Sequence, residues 1–325
     1  SNGTGCPACW GEGVLAQGCF QADDDNPKPG QGGAGVSKTL HFLNPTVADV
    51  QYVEDTPDAI ETSPLEGFRV TVDGVSPNDL TDMSGCIDGN GDLRELLVIT
   101  AVTSDGFFVT DVCNNGGPVH APDTWRDFGS LFAFNFHAPD DLVTGDCVTW
   151  FQGGAADFYG FTELKNPAWS NPICLEGAAG CQPACMDYLP EPFVLDAATL
   201  TDDYAMEGLE ASLVAVENGT IGFSQSCDFD GNGQVDYDDQ AEKECKYDCQ
   251  DEADCWVLED YKDYFQFTVH VGSGELALVL QGVVAFNPLE HEGENLSYVA
   301  GTIKHLSFGG PPWMLYPRNE GDFQF

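Results

Sequence analysis

The stretch of this sequence best equipped for chemistry is an acidic loop, CDFDGNGQVDYDD, at positions 227–239. It follows the pattern D-x-[DN]-x-[DN]-G, in which alternate oxygen-bearing residues face one centre and the glycine permits a sharp turn. Ca²⁺ prefers six to eight such oxygens at about 2.3–2.6 Å. The spacing therefore predicts a calcium site with these ligands: Asp228, Asp230, Asn232, Gln234 through its backbone carbonyl, Asp236 and Asp239.

The last ligand position of this loop holds Asp239, where an EF-hand usually has a bidentate glutamate. In this respect the loop resembles those of dockerin modules, which lie between helices. The preceding stretch NGTIGFSQS (218–226) has no helical character, so the resemblance supports calcium binding and does not extend to binding a cohesin partner. The structural alternative is a solvated hairpin turn rich in Asp and Asn.

A second acidic loop, CIDGNGDLRE at 86–95, repeats part of the pattern. We predict a shorter calcium loop there, with Asp88, Asn90, Asp92 and Glu95 as ligands. Its twelfth position is Ile99, so the remaining ligands would come from elsewhere, including another subunit. A turn without metal is the alternative reading of this loop.

No catalytic motif accompanies these loops. The sequence has no H-E-x-x-H, no G-x-S-x-G and no phosphate-binding loop with its lysine. Two HAPD tetrads, at 120–123 and 137–140, are sufficiently explained as turns. The four arginines form no recognisable nuclease motif. We therefore predict no catalytic residues and a protein that is not an enzyme.

The charge balance is extreme, with 54 Asp and Glu against 11 Lys and Arg and a net charge of -43. The cations are scattered, whereas a surface that tracks phosphates needs clustered Lys and Arg. This composition argues against nucleic acid as a main partner. Because such a charge opposes compaction and association, it also favours bound divalent cations, and Ca²⁺ is the cofactor we expect.

The 13 cysteines favour disulfides in an oxidising compartment. Cys6/Cys9 and Cys181/Cys185 have zinc-like spacing, but no second pair completes either set. An odd count leaves one thiol free or bridging to another chain, and the connectivity stays open. The chain begins at Ser1 without a leader, and its longest apolar run, at 276–286, is too short to span a bilayer. We expect a secreted or cell-surface protein without membrane insertion.

The elements that must position the loops are short β-branched and aromatic runs, such as GFRVTVDGV, ELLVITAV and YFQFTVHV, separated by Gly, Asn, Asp and Pro. They predict an all-β fold. We expect four segments: an extended Cys/Gly/Asp-rich N-terminal arm at 1–44, a β-barrel at 45–173, a Cys/Pro-rich linker at 174–192, and a second β-barrel at 193–325 that carries a calcium-loop insertion at 226–256.

Three stretches recur in the same order in both halves and predict a diverged duplication, with recurrent turn composition as the alternative. The pairs are 63–75 with 204–216, 85–93 with 226–236, and 148–167 with 297–319.

In DGFFVTD (105–111), GSLFAFNF (129–136) and VTGDCVTWFQGGAADFYGFTELKN (143–166), the chain resembles small OB-fold domains of secreted bacterial proteins, including those that accompany extracellular nucleases. The final LYPRNEGDFQF is similar to the close of such domains. The resemblance implies one five-stranded, OB-like Greek-key barrel per half, of a kind that often binds oligonucleotides or sugars.

These features together predict an exported calcium-binding structural protein that self-associates into a filament or matrix, so that its main partner is itself. The alternative is an OB-fold binding module for extracellular nucleic acid or polysaccharide. Bases would stack on Phe107, Phe108, Phe132, Phe134 and Phe136, although strand alternation places some of these rings in the core. A hydrolase with an unrecognised site is a third alternative.

Overall fold

The structure is a computed structural model, which describes residues 19–22, 40–43, 45–52, 62–82, 86–113, 128–175, 181–222, 265–280, 283, 285–291, 293–306 and 313–325. Within these ranges the chain is mostly β-strand with a few short helices, which confirms the predicted all-β class. By its internal contacts the chain divides into two compact units, residues 1–191 with 207–212, and residues 192–206 with 213–325.

The first unit contains one described α-helix and eleven described strands. They are β1 (Cys19–Ala22), β2 (Leu40–Leu43), α1 (Val47–Gln51), β3 (Arg69–Asp73), β4 (Leu80–Asp82), β5 (Ile87–Asp88), β6 (Leu97–Thr103), β7 (Gly106–Asp111), β8 (Ser130–Phe134), β9 (Cys147–Val148), β10 (Trp150–Phe158) and β11 (Phe161–Trp169). Pro77–Asp79 and Met186–Tyr188 form single 3-10 turns.

Nine of the described strands form one sheet in the order β1-β2-β3-β10-β11-β8-β7-β6-β9. Only Thr149 separates β9 from β10, so 147–158 is nearly one strand, which pairs with β6 at its start and with β11 further along. The strands β10, β11, β8, β7 and β6 thus form a curved half-barrel. The short β6–β9 pair links β6 back to the start of the 147–158 strand. Neighbouring strands of this ring are antiparallel except β8 and β11, which are parallel.

The core of the first unit lies inside this half-barrel. Alternation in β3 and β10 buries Val70, Val72 and Phe151 there, while β6 contributes Leu97 and Ile99. The opposite face of β6 is buried too, because Leu96 and Val98 pack in a second cluster built around Cys86, Cys113, Cys147 and Cys185. Strand β6 is therefore covered on both faces.

The second unit contains two described α-helices and seven described strands. They are β12 (Phe193–Val194), α2 (Ala197–Leu200), α3 (Asp203–Gly208), β13 (Leu213–Gly222), β14 (Gln266–Val271), β15 (Gly274–Val279), β16 (Asn295–His305), β17 (Trp313–Tyr316) and β18 (Phe323–Gln324). Helix α3 crosses the boundary between the units at its last two residues. Pro288–Glu290 and Glu320–Asp322 are 3-10 turns.

Five strands of the second unit close a barrel in the order β13-β14-β15-β17-β16, with β16 returning to β13. Its neighbours are antiparallel except β15 and β17, which are parallel. The first unit has the same sequence of pairings. Its strands β7, β8, β9/β10 and β11 correspond, in that order, to β14, β15, β16 and β17. The prediction of two tandem OB-like barrels is confirmed at the level of fold class.

Within the described ranges six cysteines form three disulfides, Cys86–Cys113, Cys147–Cys185 and Cys174–Cys181. The disulfide interpretation is confirmed for these cysteines, and Cys181 and Cys185 belong to different bonds instead of one zinc set. The Cys147–Cys185 bond ties the predicted linker to the first unit, where Cys185 N also donates to Gly145 O at 3.1 Å. Such bonds fit an oxidising environment.

Two parts of the predicted N-terminal arm are strands, because β1 pairs with β2 and β2 runs parallel to β3. Cys6, Cys9 and the calcium-loop insertion at 226–256 lie outside the described residues. In the part of the chain that is described, no helix is both long and apolar enough to cross a membrane.

Candidate functional site

The first predicted calcium loop is a tight turn centred on Asp88. Its Oδ1 accepts hydrogen bonds from Asn90 N at 2.8 Å and from Asp92 N at 3.0 Å. The backbone closes the same turn, since Asp88 N donates to Asp92 O and Gly91 N donates to Asp88 O, each at 3.0 Å. Gly91 has a φ of 86°, in the left-handed region that glycine adopts without a steric penalty.

Neighbouring elements hold this turn in place. Asp88 ends β5, which pairs with β4, and the Cys86–Cys113 disulfide joins the start of the loop to the residues that follow β7. Arg94 N donates to Cys86 O at 2.9 Å and closes the loop across its base. The local sequence therefore preorganises the Asp88 carboxylate before any ion arrives.

The environment of Asp88 favours its charged form. The backbone N–H groups of Asp92 and Asn90 lower the pKa of Asp88, and the Arg94 guanidinium, whose Nη1 lies 3.5 Å from Asp88 Oδ2, acts in the same direction. The side chains of Asn90 and Asp92 lie at the exposed rim of the turn. The Asp88 carboxylate is thus ionised at neutral pH, but it already accepts two backbone hydrogen bonds and lies beside the Arg94 guanidinium.

Glu95 serves a different part of the unit. Its Oε1 accepts a hydrogen bond from Val47 N at 3.0 Å, at the first turn of α1. Thr46 caps this helix, because its Oγ1 accepts from Asp49 N at 3.0 Å while Asp49 Oδ2 accepts from Thr46 N at 2.9 Å. Glu95 therefore binds one of the free N–H groups at a helix N-terminus.

A carboxyl cluster forms around Glu95, although the residue as a whole retains some solvent exposure. Burial of its carboxyl raises the pKa of Glu95 well above the ordinary range, and the charges of Asp111 and Asp49 add to this, against the hydrogen bond from Val47 N. Asp111 is buried, and its Oδ1 accepts from Leu96 N and Cys113 N at 3.0 and 2.9 Å. A protonated Glu95 can donate a hydrogen bond to Asp111, and a cation bound there would displace that proton.

The turn and the carboxyl cluster do not merge into one set of ligands. Oxygens of Asp88, Asp92 and Glu95 do not gather within 4.8 Å of one another. Calcium binding at this loop stays a prediction, for which Asp88 is positioned and Glu95 is engaged elsewhere. The predicted ligands at Asp228, Asp230, Asn232, Gln234, Asp236 and Asp239 lie outside the described residues, and that site also stays a prediction.

Sequence reasoning did not identify Asp111 or Asp49 as partners of Glu95. Asp111 ends the strand run GFFVTD, and an acidic residue at the end of a mostly apolar strand is the signal that could have identified it. Asp49 stands three residues after Thr46, which is the capping-box spacing. Only the fold brings these two segments beside Glu95, which lies two residues before β6.

The aromatic residues considered for base stacking separate into two groups. Phe107, Phe108 and Phe132 are buried, whereas Phe134 is half-buried and Phe136 is 71% exposed. The rings of Phe134 and Phe136 lie 4.5 Å apart, centre to centre.

A further pair of exposed rings lies at the β10–β11 turn, where Phe158 and Tyr159 are 5.0 Å apart. Lys165 connects the two groups of rings, because it is the register partner of Phe134 and its Nζ lies 5.8 Å from the Phe158 ring centre. We call Phe134, Phe136, Phe158, Tyr159 and Lys165 the aromatic surface.

The HAPD turn at 137–140 is closed by its own local contacts. His137 Nδ1 lies 2.9 Å from Ala138 O, and Asn135 Nδ2 donates to His137 O at 3.3 Å. This arrangement agrees with a turn and needs no catalytic role. The tetrad at 120–123 lies outside the described residues.

Comparisons of this chain with protein families, curated proteins and solved structures give no match.

Proposed function

We propose that this chain is an exported calcium-binding structural protein that self-associates into an extracellular filament or matrix. The observation that carries the proposal is the charge of -43 on a chain whose folded units are tandem barrels held by disulfides. Copies with this charge repel one another unless cations neutralise their surfaces. Ca²⁺ at the acidic loops would neutralise them and fix the loop conformations.

The Asp88 turn supports the calcium part of this proposal. Its central carboxylate is ionised and preorganised, and a disulfide closes the surrounding loop, so little ordering would accompany metal binding. The loop at 228–239 carries the fuller ligand pattern and is where we place the stronger site.

The edge of the first sheet supports the self-association part. Strand β1 stands at one end of the described strand order, where it pairs with β2. An edge of this kind accepts an extended segment from a neighbouring molecule through main-chain hydrogen bonds.

Size-exclusion chromatography with light scattering, followed by electron microscopy, tests the proposal on the full chain. In millimolar Ca²⁺ we expect large assemblies that return to monomers in EGTA. The Asp230→Asn variant should need more Ca²⁺ to assemble, whereas Asp187→Asn, at an exposed residue outside both loop sequences, should behave as wild type. A monodisperse monomer under all conditions would rule the proposal out.

The aromatic surface supports a second candidate, a binding module for extracellular polysaccharide. Exposed rings beside one lysine can stack on sugar rings without the clustered cations that nucleic acid requires. Affinity electrophoresis in gels that contain neutral polysaccharides should show retardation of wild type and less retardation of Phe136→Ala. Equal mobility of the two proteins in every gel would remove this candidate.

A further inference from the structure

Two glutamates of the first unit, Glu207 and Glu210, lie far from both predicted calcium loops in sequence. Glu207 lies in the last turn of α3 and Glu210 follows the helix, and Glu210 N donates to Glu207 O at 3.1 Å. Both are buried, with 8% and 2% of their surface exposed. A Glu207 oxygen lies within 4.8 Å of a Glu210 oxygen, close enough for one ion to contact both.

One oxygen of Glu210 is satisfied and the other is not. Oε1 accepts a hydrogen bond from Thr162 N at 3.1 Å, which fixes the side chain against the start of β11. Gln51 hydrogen-bonds to the same carboxyl, while its Nε2 also donates to Ser130 O at 2.7 Å. Oε2 is buried without a hydrogen-bond partner. A carboxylate oxygen in this state is costly unless a proton or a cation occupies it.

Asp157 adds a third carboxyl to this neighbourhood. It is the register partner of Thr162 across the β10–β11 pair, so it lies beside the residue that binds Glu210. Its Oδ1 accepts from Gly160 N at 3.3 Å, and its Oδ2 is buried without a hydrogen-bond partner. The charge of Asp157 acts on Glu210 in the direction that disfavours ionisation, so Asp157 is an outer member of this group of carboxyls.

The electrostatics of Glu210 agree with this geometry. Burial raises the pKa of Glu210 well above the ordinary range, and the charges of Glu207 and Asp157 raise it further, against the hydrogen bonds from Thr162 and Gln51. Three carboxyls at this place disfavour one another's ionisation, and a bound cation would reverse that effect.

We propose that Glu207 and Glu210 form a site for a hard divalent cation of the Ca²⁺ class, with Asp157 as an outer negative group. The carboxylate oxygens of the two glutamates suit such an ion, and further oxygen ligands would complete its coordination. The ion would join the segment at 207–212 to the β10–β11 hairpin of the same unit. This site shares no residue with the loops at 86–95 and 228–239. It deepens the proposed calcium-dependent function, on which it rests, by adding an internal structural ion.

The test compares four full-length proteins: wild type, Glu210→Gln, Asp230→Asn and Glu217→Gln. The Glu210→Gln substitution keeps an acceptor for Thr162 N and removes the charge, and Glu217 is an exposed glutamate that serves as the matched control. Each protein is freed of metal with EGTA and titrated with Ca²⁺ alone, by calorimetry for stoichiometry and by thermal unfolding for stability.

Wild type and Glu217→Gln should unfold about 5–10 °C higher at a hundredfold excess of Ca²⁺ over its Kd. Glu210→Gln should be more stable than wild type in EGTA, because a neutral amide replaces a buried acid, and should bind one Ca²⁺ fewer. Asp230→Asn should keep the Glu210-dependent ion and lose a different one, so the two sites are distinguished even if one fails.

Two results would overturn the proposal. If Glu210→Gln binds as many Ca²⁺ ions as wild type, with the same gain in unfolding temperature, then Glu210 holds no ion. If Glu210→Gln is stabilised in EGTA while wild type gains no Ca²⁺-dependent stability that the variant lacks, then the pair shares a proton and not a metal.

Discussion

Removal of the Cys86–Cys113 disulfide should destabilise the first unit by an amount that follows from its position in the chain. The bond closes a separation of 27 residues, for which loop-closure entropy gives about 3.5 kcal/mol of stabilisation. The Cys174–Cys181 bond closes a separation of only 7, for which the same relation gives about 2.4 kcal/mol. Both cysteines of the longer bond are buried beside Leu96 and Val98, so their replacement also loosens the second cluster.

The measurement is urea unfolding of the double variants Cys86→Ala/Cys113→Ala and Cys174→Ala/Cys181→Ala beside wild type. We expect the first to lose at least about 1 kcal/mol more free energy of unfolding than the second. The first variant should also bind Ca²⁺ at the Asp88 turn more weakly, because the loop would have to order on binding. Equal losses in the two variants would refute the assignment of the longer bond as a main stabiliser of this unit.

Three further substitutions test particular contacts by urea unfolding. The folded protein raises the pKa of Glu95, so this carboxyl stabilises the fold at low pH, and the stabilisation is lost as pH rises through the folded pKa. Glu95→Gln should therefore be more stable than wild type at alkaline pH but not at about pH 4. Thr46→Ala removes the cap of α1 and should cost about 1 kcal/mol, whereas Thr46→Ser should cost less. Phe151→Ala empties a fully buried core position and should cost about 3–5 kcal/mol.

The all-β fold could be predicted because strand signals are local. Alternation in RVTVD and WFQGGAADF reports which face is buried, and each run ends at turn-forming residues. The pairing of strands distant in sequence is not local in this way. The parallel contacts of β8 with β11 and of β15 with β17 depend on barrel closure, which the resemblance to OB-fold domains implied and strand periodicity alone could not.

The candidate site was less predictable because a ligand pattern reports spacing and not direction. Asp88 lies in a turn as its D-G-N-G context requires, yet Glu95 is directed to Val47 N, contributed by a segment 48 positions earlier. Similarly, Glu207 and Glu210 belong to no motif. Their significance comes from Thr162 N and Asp157, which a strand pair brings beside them.

The strand pairings also show which of the three sequence matches between the halves lie on equivalent strands of the two barrels. Strand β3 pairs with residues 150–154 and β6 with 147–148, both antiparallel, and Gly74 N donates to Thr149 O between the two pairings. The two strands therefore lie end to end and together occupy the place that β13 fills unbroken in the second barrel.

The loop with Asp88 interrupts the first barrel strand, whereas the loop with Asp228 follows the corresponding strand and precedes β14. The matches of 63–75 with 204–216 and of 148–167 with 297–319 agree with equivalent strands, but 85–93 and 226–236 occupy different places in the topology. Their shared D-G-N-G sequence is then better explained by the demands of a tight acidic turn than by descent from one ancestral loop.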